Sequence, residues 1–408
     1  MELKDKLKIY GSYFYFFGFF FILFFGHKYI DYVRVPFILF VVWQIAAGNL
    51  TQKFFLDPIF ISVVLFALTA VASNFVNNIP QIEIVPILNW LYPYGVAKYT
   101  VVTYKRVDPE NILILLLGCA TIFSGIGIIG YIFNVQTLFG IDLFEMYGKE
   151  ARYAFTISTT NRAGFCIGIT LMVNCYFFIK NGFKFTRKNV YVMICFPIIF
   201  AAMFLIKERK TILMVIMMIG IFLLLYKKYK VFILMAVAAA MILILFPLPQ
   251  RYNAKEMFFN AGMIGRFSAW ECAIRMFKEK PVLGHGYPSF KKAGAAYFEK
   301  NKEVFKFKKF YNWGVAHNMN LNTLAETGIL GFIFLNAIFF SALRFIKYKQ
   351  DDPLVCILGA AIVFIYITMQ TGNFVHSATR TDMAFLIFGL YFGLESRHHR
   401  NKPMLELS

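Results

Sequence analysis

Charge is what this chain has least of. Asp, Glu, Lys and Arg together supply 16% of its 408 residues, against about 25% in an ordinary soluble domain. Acidic groups are scarcer than basic ones, 22 against 42. No D-x-D, H-x-H or H-E-x-x-H spacing lies in the outer segments; Asp142 and Glu145 are the nearest acidic pair there, and Asp351-Asp352 fall on the inner side. A divalent-metal site is therefore not indicated. There is no Walker loop and no G-x-S-x-G nucleophile turn. Six cysteines contain no C-x-x-C pair, and only Cys272 lies outside an apolar run. One exposed thiol cannot close an internal disulfide, so the cysteines read as packing residues.

What remains is apolar. Hydrophobic residues reach 59%, and Phe alone numbers 50. Runs near 18–20 residues recur along the chain, and one helix needs about 20 residues to cross the hydrocarbon. The fold expected is an all-α polytopic membrane protein with about 12 transmembrane helices. They are placed at 12–26, 33–48, 55–76, 84–104, 111–133, 163–180, 189–207, 210–226, 230–249, 321–346, 354–371 and 381–395. The first run lacks a small-residue cleavage site and reads as an anchor. Three parts follow: spans one to nine over 1–249, a large polar loop over 250–320, and the last three spans with a tail over 321–408.

The net charge of +20 invites a nucleic-acid reading, but its distribution does not. With the N-terminus inside, nineteen Lys/Arg fall in the inner connections and about nine in the short outer ones. That bias sets orientation: both termini cytoplasmic, the long loop outside. No nucleic acid is implied.

The loop carries thirteen Lys/Arg against five Asp/Glu between Gln250 and Asn320. Such a cationic cap over an apolar body suits an anionic, lipid-borne substrate. Phe267, Trp270, Ile274 and Phe277 recur at helical spacing over Met263–Lys280, predicting an amphipathic helix that Pro281 closes. Gly284, Gly286 and Pro288 mark a turn. A second, very basic helix is expected over Ala293–Lys309, and 134–162 is read as loop with one short amphipathic helix.

Charged groups at span ends are costly in hydrocarbon and attract functional readings. Lys207-Glu208-Arg209-Lys210 sits between two spans with almost no loop. Lys207 and Lys210 can snorkel; Arg209 fits that reading less well. Arg266 opens the loop helix, where free N–H groups and a guanidinium suit a phosphate, or it is simply a solvated arginine. Gly284-His285-Gly286 could cradle a phosphate or merely reverse the chain. His317, beside Asn318 and Asn320, could act as a general base toward a hydroxyl or be an interfacial histidine. Glu326 lies further in, placed to pair with an arginine. Asn373, His376, Arg380 and Asp382 form another polar group near the last span.

Read together, these motifs resemble the bacterial O-antigen ligase and polymerase superfamily. They are Lys207-Glu208-Arg209-Lys210-Thr211, Gly265-Arg266 with Trp270, Pro281-x-x-Gly284-x-Gly286 with Phe290, His317-Asn318-x-x-Leu321, and Glu326-Thr327-Gly328-Ile329-x-Gly331. Arg251-Tyr252-Asn253 and the overall length are similar to enteric-type ligases. The resemblance implies a GT-C-like fold and metal-independent, inverting glycosyl transfer with no cofactor. It also implies an undecaprenyl-pyrophosphate-linked donor and a lipid A–core acceptor at the periplasmic face of the inner membrane. His317, Arg266 and Arg209 would be catalytic; Lys210, Asn318, Glu326 and Arg380 would bind substrate. Some ligases carry an acidic residue where this chain has Asn373, and the nearby Asp382 is displaced. A polymerase joining lipid-linked repeats remains open, as does a lipid-linked oligosaccharide flippase, which predicts a charged cavity along many spans.

Overall fold

A computed structural model describes residues 3–25, 57–80, 87, 90–103, 107–138, 141–147, 150–153, 160–181, 184–206, 209–225, 227, 229–230, 233, 261–306, 315–348, 352–370 and 378–401. The spans expected at 33–48 and 230–249 lie outside these, apart from isolated positions, as do Arg251-Tyr252-Asn253, Asn373 and His376.

The membrane body is helical: α1 (Leu3–Phe25), α2 (Pro58–Val76), α3 (Leu91–Thr103), α4 (Pro109–Ile132), α5 (Thr160–Asn181), α6 (Arg187–Ile206), α7 (Arg209–Leu225), α10 (Met319–Phe340), α11 (Pro353–Met369) and α12 (Ala378–Asn401). The loop adds α8 (Ala261–Glu279) and the short α9 (Ala295–Lys300). Three spans start the same way. Asp57, Asp108 and Asp352 each precede a proline, and each carboxylate accepts an N–H of the first turn, from Ile59 (2.9 Å), Glu110 (3.0 Å) and Leu354 (2.8 Å). The aspartate satisfies donors the helix leaves open, and proline at the first position has no N–H to satisfy. Among the described residues, four unbroken helices are long and apolar enough to cross a membrane, 58–76, 109–132, 162–181 and 187–206, and the stretch 319–344 matches them in length and composition. The chain is a multi-pass membrane protein.

Packing follows the aromatic content. Trp90 stacks between Phe66 of α2 and Phe385 of α12, with centroids 5.7 and 5.3 Å away. On α12, Gly389 and Gly393 face α3 so closely that a methyl group would lie 2.4 Å from the Tyr94 carbonyl oxygen and 2.8 Å from Val101 Cβ. Small residues four apart let two helices in lipid approach backbone to backbone. At the other end of α2 from the loop, Lys98 pairs with Asp57, and Tyr94 Oη donates to the same carboxylate at 2.5 Å. The buried cation is thus compensated.

Two expectations are corrected. The helical body is as expected, but the segment after α4 holds two short antiparallel ribbons in place of an amphipathic helix. They pair β1 (Thr137–Leu138) with β2 (Ile141–Asp142) and β3 (Phe144–Tyr147) with β4 (Glu150–Tyr153). No helix occupies that stretch among the described residues. Tyr147 pairs with Glu150, which leaves a two-residue connection with glycine at its first position, a hairpin signal.

The second correction concerns the span expected at 321–346. α10 breaks at Gly328 (φ 66°, ψ −162°), and Asn336 Nδ2 donates to Asn320 Oδ1 at 3.1 Å. Sixteen residues of straight helix would separate those groups by about 24 Å. The two arms are therefore folded back on one another, with Gly328 at the vertex. The first arm, about 14 Å long at 1.5 Å per residue, cannot cross about 30 Å of hydrocarbon. The second arm continues as a 3₁₀ segment over Ser341–Tyr348. Together they reach about 34 Å, enough to cross the hydrocarbon without the first arm.

Candidate functional site

The break at Gly328 strips two carbonyls of their helical donors, and the loop replaces them. In an unbroken helix Ile329 N would bond Ala325 O; here it donates to Pro281 O at 2.8 Å. His285 N takes Ala325 O at 2.9 Å and Gly286 N takes Glu326 O at 2.8 Å. Buried carbonyls need such partners. The His285 and Gly286 amides thus fasten the hairpin vertex, and the reading of that turn as a chain reversal fits this use. Both sides of the seam require glycine. Gly284 (φ 65°) and Gly328 (φ 66°) lie in the left-handed region, and a Cβ on either would fall within 2.6 Å of opposing backbone. Such φ values cost other residues about 1–2 kcal/mol.

The loop end of α2 clamps the same turn. Asn74, fully buried, accepts from Tyr287 N at 2.5 Å and donates to Tyr287 O at 2.7 Å. Ser73 Oγ donates to Glu326 O at 2.8 Å, Asn77 Nδ2 to Gly284 O at 3.1 Å, and Lys280 Nζ to Asn77 Oδ1 at 2.6 Å. Sequence reasoning missed these residues. Their signal was a polar group, Ser73-Asn74 and Asn77-Asn78, at the end of an otherwise apolar run.

His317 stands on the turn that starts the first arm, in a left-handed conformation (φ 51°) and part-buried. Asn318 caps the arm, its Oδ1 accepting from Leu321 N at 3.0 Å. Ala316 N donates to Asn322 Oδ1 at 3.1 Å, and Asn322 Nδ2 donates to Glu326 Oε2 at 2.7 Å. The other carboxylate oxygen of Glu326 accepts from Phe290 N at 2.9 Å. An N–H donated to each oxygen is the pattern that suits the ionised form. Glu326, 1% exposed, is thus held between the His317 turn and the loop.

Hydrogen bonds fix the height of this turn in the bundle. Asn320 donates to Tyr366 Oη (3.1 Å), Tyr366 donates to Asn336 Oδ1 (2.8 Å), and Asn336 closes the ring on Asn320. Tyr366 lies in the last turn of α11. Two residues earlier on α11, Phe364 packs on Phe165 of α5 with centroids 6.2 Å apart. A methyl on Gly168 would meet Phe364, Val215 and Thr211 together. Thr211 is two residues from Arg209, whose backbone opens α7; the Arg209 and Lys210 side chains, with Lys207 and Glu208, lie outside the described residues. Arg162 and Arg380 both act electrostatically on Cys166 of α5. The starts of α5, α7 and α12 and the His317 turn therefore share one end of the bundle.

Arg266 sits on α8, one turn before Ala269. Ala269, Cys272, Ala273 and Met276 form a small core with Ala316, Ala325, Phe290, Phe298 and Phe305. Arg266 and His317 thus flank one apolar cluster, Arg266 through Ala269 and His317 through Ala316. Trp270 packs at the edge of this core, and with Phe267 and Ile274 it also lines an open groove of about 630 Å³ beside Arg275, Lys278 and Lys306. Arg275 is engaged by Glu271 (3.1 and 2.9 Å) and Val304 O (2.8 Å). Cys272 is buried rather than exposed; its Sγ lies 3.4 Å from Gly294 O, and burial pushes the thiol up to about 12. A thiol so held is unreactive. His285 Nε2 donates to Met276 O at 3.0 Å, and burial holds the imidazole below its ordinary value. The expected basic helix over Ala293–Lys309 is a π turn (Phe290–Gly294), α9 and a 3₁₀ turn (Lys302–Val304), while 307–314 lie outside the described residues.

Two comparisons bear on this arrangement. A protein from Haemophilus influenzae, described as uncharacterized, is 30% identical over 230 residues, covering 50% of this chain and 55% of that relative. The chain thus spans about half the length of that curated relative. Residues 190–335 match the family model described as O-Antigen ligase. That stretch holds the α7 start, α8, the 281–290 turn, the His317 turn and the hairpin vertex, so the likeness to the O-antigen ligase family falls on the residues described above.

Proposed function

We propose that the chain is an O-antigen ligase, moving polysaccharide from undecaprenyl pyrophosphate onto lipid A–core at the periplasmic face of the inner membrane. Both termini are cytoplasmic in this reading. The observation that carries it is the folding-back of α10. It brings an imidazole on a short, capped turn to the end of the bundle where α5, α7 and α12 begin with Arg162, Arg209 and Arg380.

In this mechanism Arg266 and Arg209 hold the donor diphosphate, each charge-assisted contact contributing about 1.5–3 kcal/mol. They act most strongly as charge grows on the leaving group. Lys210 and Arg380 add cationic contacts, and Asn318 orients the acceptor hydroxyl. His317 takes the proton of that hydroxyl as its oxygen attacks the anomeric carbon. The bond to the diphosphate oxygen breaks on the opposite face, which inverts the centre and releases undecaprenyl pyrophosphate. Glu326, placed among the binding residues by resemblance, acts from behind the site in this reading. The groove beside Trp270, with its lysine rim, would receive phosphorylated saccharide. Transport is less well supported: the buried Lys98 is spent on Asp57 and Tyr94, away from the loop end.

Expression in a strain lacking its own ligase tests this reading. Ligase activity restores long-chain lipopolysaccharide on gels. Continued uncapped core, with the protein inserted, would contradict it. Restoration of ladders only in a strain missing its polymerase would assign the polymerase reaction instead.

A further inference from the structure

We propose that Asn322 and Glu326 form a polarised amide–carboxylate relay that fixes the His317 turn, and that the charge can be exchanged between them but not removed from the pair. This rests on the reading of His317 as the base, and it makes the two residues positioning residues rather than substrate contacts.

The relay connects the turn before His317 to the loop at Phe290. The Ala316 amide, one residue before His317, is held by Asn322 Oδ1 (3.1 Å). Asn322 Nδ2 points to Glu326 Oε2 (2.7 Å), and Glu326 Oε1 receives the Phe290 amide (2.9 Å). Asn322 is 6% exposed and Glu326 1%, so a group left unmatched here has little water to turn to.

Three donors and their acceptors must alternate in one order. In Glu326→Gln, one carbonyl oxygen faces two N–H donors, Phe290 N and Asn322 Nδ2. Whichever it accepts, the new amide NH₂ opposes the other donor. Flipping Asn322 only moves the clash to Ala316. In Asn322→Asp, two carboxyls face each other, and like charges at that separation cannot both stay ionised; they share one proton, and the match holds only while that proton is bound. The double exchange satisfies these three donors at every pH. The carboxylate now at position 322 accepts from Ala316 N and from the amide NH₂ now at position 326, whose carbonyl oxygen accepts from Phe290 N. The pair then carries the same net charge with its polarity intact.

The test compares Glu326→Gln, Asn322→Asp and the double variant in full-length protein reconstituted with donor and acceptor lipids. Glu326→Gln should lower kcat about tenfold or more at every pH, with KM little changed, as expected for an orphaned buried partner, whereas Asn322→Asp should lose activity only as rising pH removes the proton its two carboxyls share. The double variant should return to within about threefold of wild type. A second readout needs no catalysis. In a His317→Cys background the introduced thiol is labelled with a membrane-impermeant maleimide; the native cysteines are all buried. Its labelling rate should change in Glu326→Gln and recover in the double. A Glu326→Gln variant that behaves as wild type, or a double no better than Glu326→Gln in rate, labelling or folding, would overturn the relay. If His317→Asn stays active while the labelling pattern holds, the base assignment fails and the relay stands.

Discussion

Replacing His317 should lower glycosyl transfer by about 10²–10⁴-fold, the usual contribution of a positioned acid–base group. His317→Asn is the better first variant. Asparagine tolerates the left-handed backbone that His317 adopts (φ 51°), so the turn keeps its shape while the base is lost. Alanine at that position adds about 1–2 kcal/mol of backbone strain and would mix two effects. A proton taken in the transition state should show in kcat, with the KM for both lipids nearly unchanged. Steady-state rates on purified, inserted protein decide this. An asparagine variant within a few fold of wild type would remove the imidazole from the mechanism.

Gly328→Ala should be nearly as damaging to activity, although nothing there reaches substrate. An alanine would carry a positive φ, and its Cβ would lie 2.2 Å from the Val282 carbonyl oxygen. Backbone on both sides of the seam would have to move. The bonds from His285 and Gly286 to Ala325 and Glu326 depend on that approach, so the vertex and the 281–290 turn would part together. The cost belongs with strain at special backbone positions, several kcal/mol at the upper end of single substitutions. Thermal unfolding in detergent should fall by several degrees, and proteolysis should open near 281–290. Wild-type melting with wild-type protection would mean that α10 does not need its break.

Sequence reading reached the helices because apolar runs of fixed length report directly on the hydrocarbon. Asp57-Pro58, Asp108-Pro109 and Asp352-Pro353 even marked three starts. It failed where two uses of one residue type compete. Phe267, Trp270 and Ile274 gave the helix, but of these only Trp270 packs on the core that Ala269, Cys272, Ala273 and Met276 build. Small residues carry no periodic signal of burial, and bulky ones on a groove mimic a core stripe. The hairpin was hidden because the mixed stretch before Gly328 and the apolar one after it both have ordinary helical composition and read as a single helix entering the membrane. Asn320 and Asn336, whose contact reveals it, lie too far apart in sequence to suggest a pair. Likewise, Glu326 invites an arginine partner by charge, yet its oxygens accept from a backbone amide and an asparagine. Local spacing shows which groups are available, not which of them the tertiary fold turns toward each other.

The central claim is that one guanidinium and one imidazole, far apart in sequence, face the same substrate. Thiol cross-linking between cysteines placed at 266 and 317, in reconstituted full-length protein, tests it directly. Asn320→Cys with Asn336→Cys serves as the control, since those side chains already touch at 3.1 Å. A short bifunctional maleimide should join 266 to 317, and donor lipid should block the reaction. Efficient joining of the control pair with none between 266 and 317, in the presence or absence of donor, would contradict a shared site.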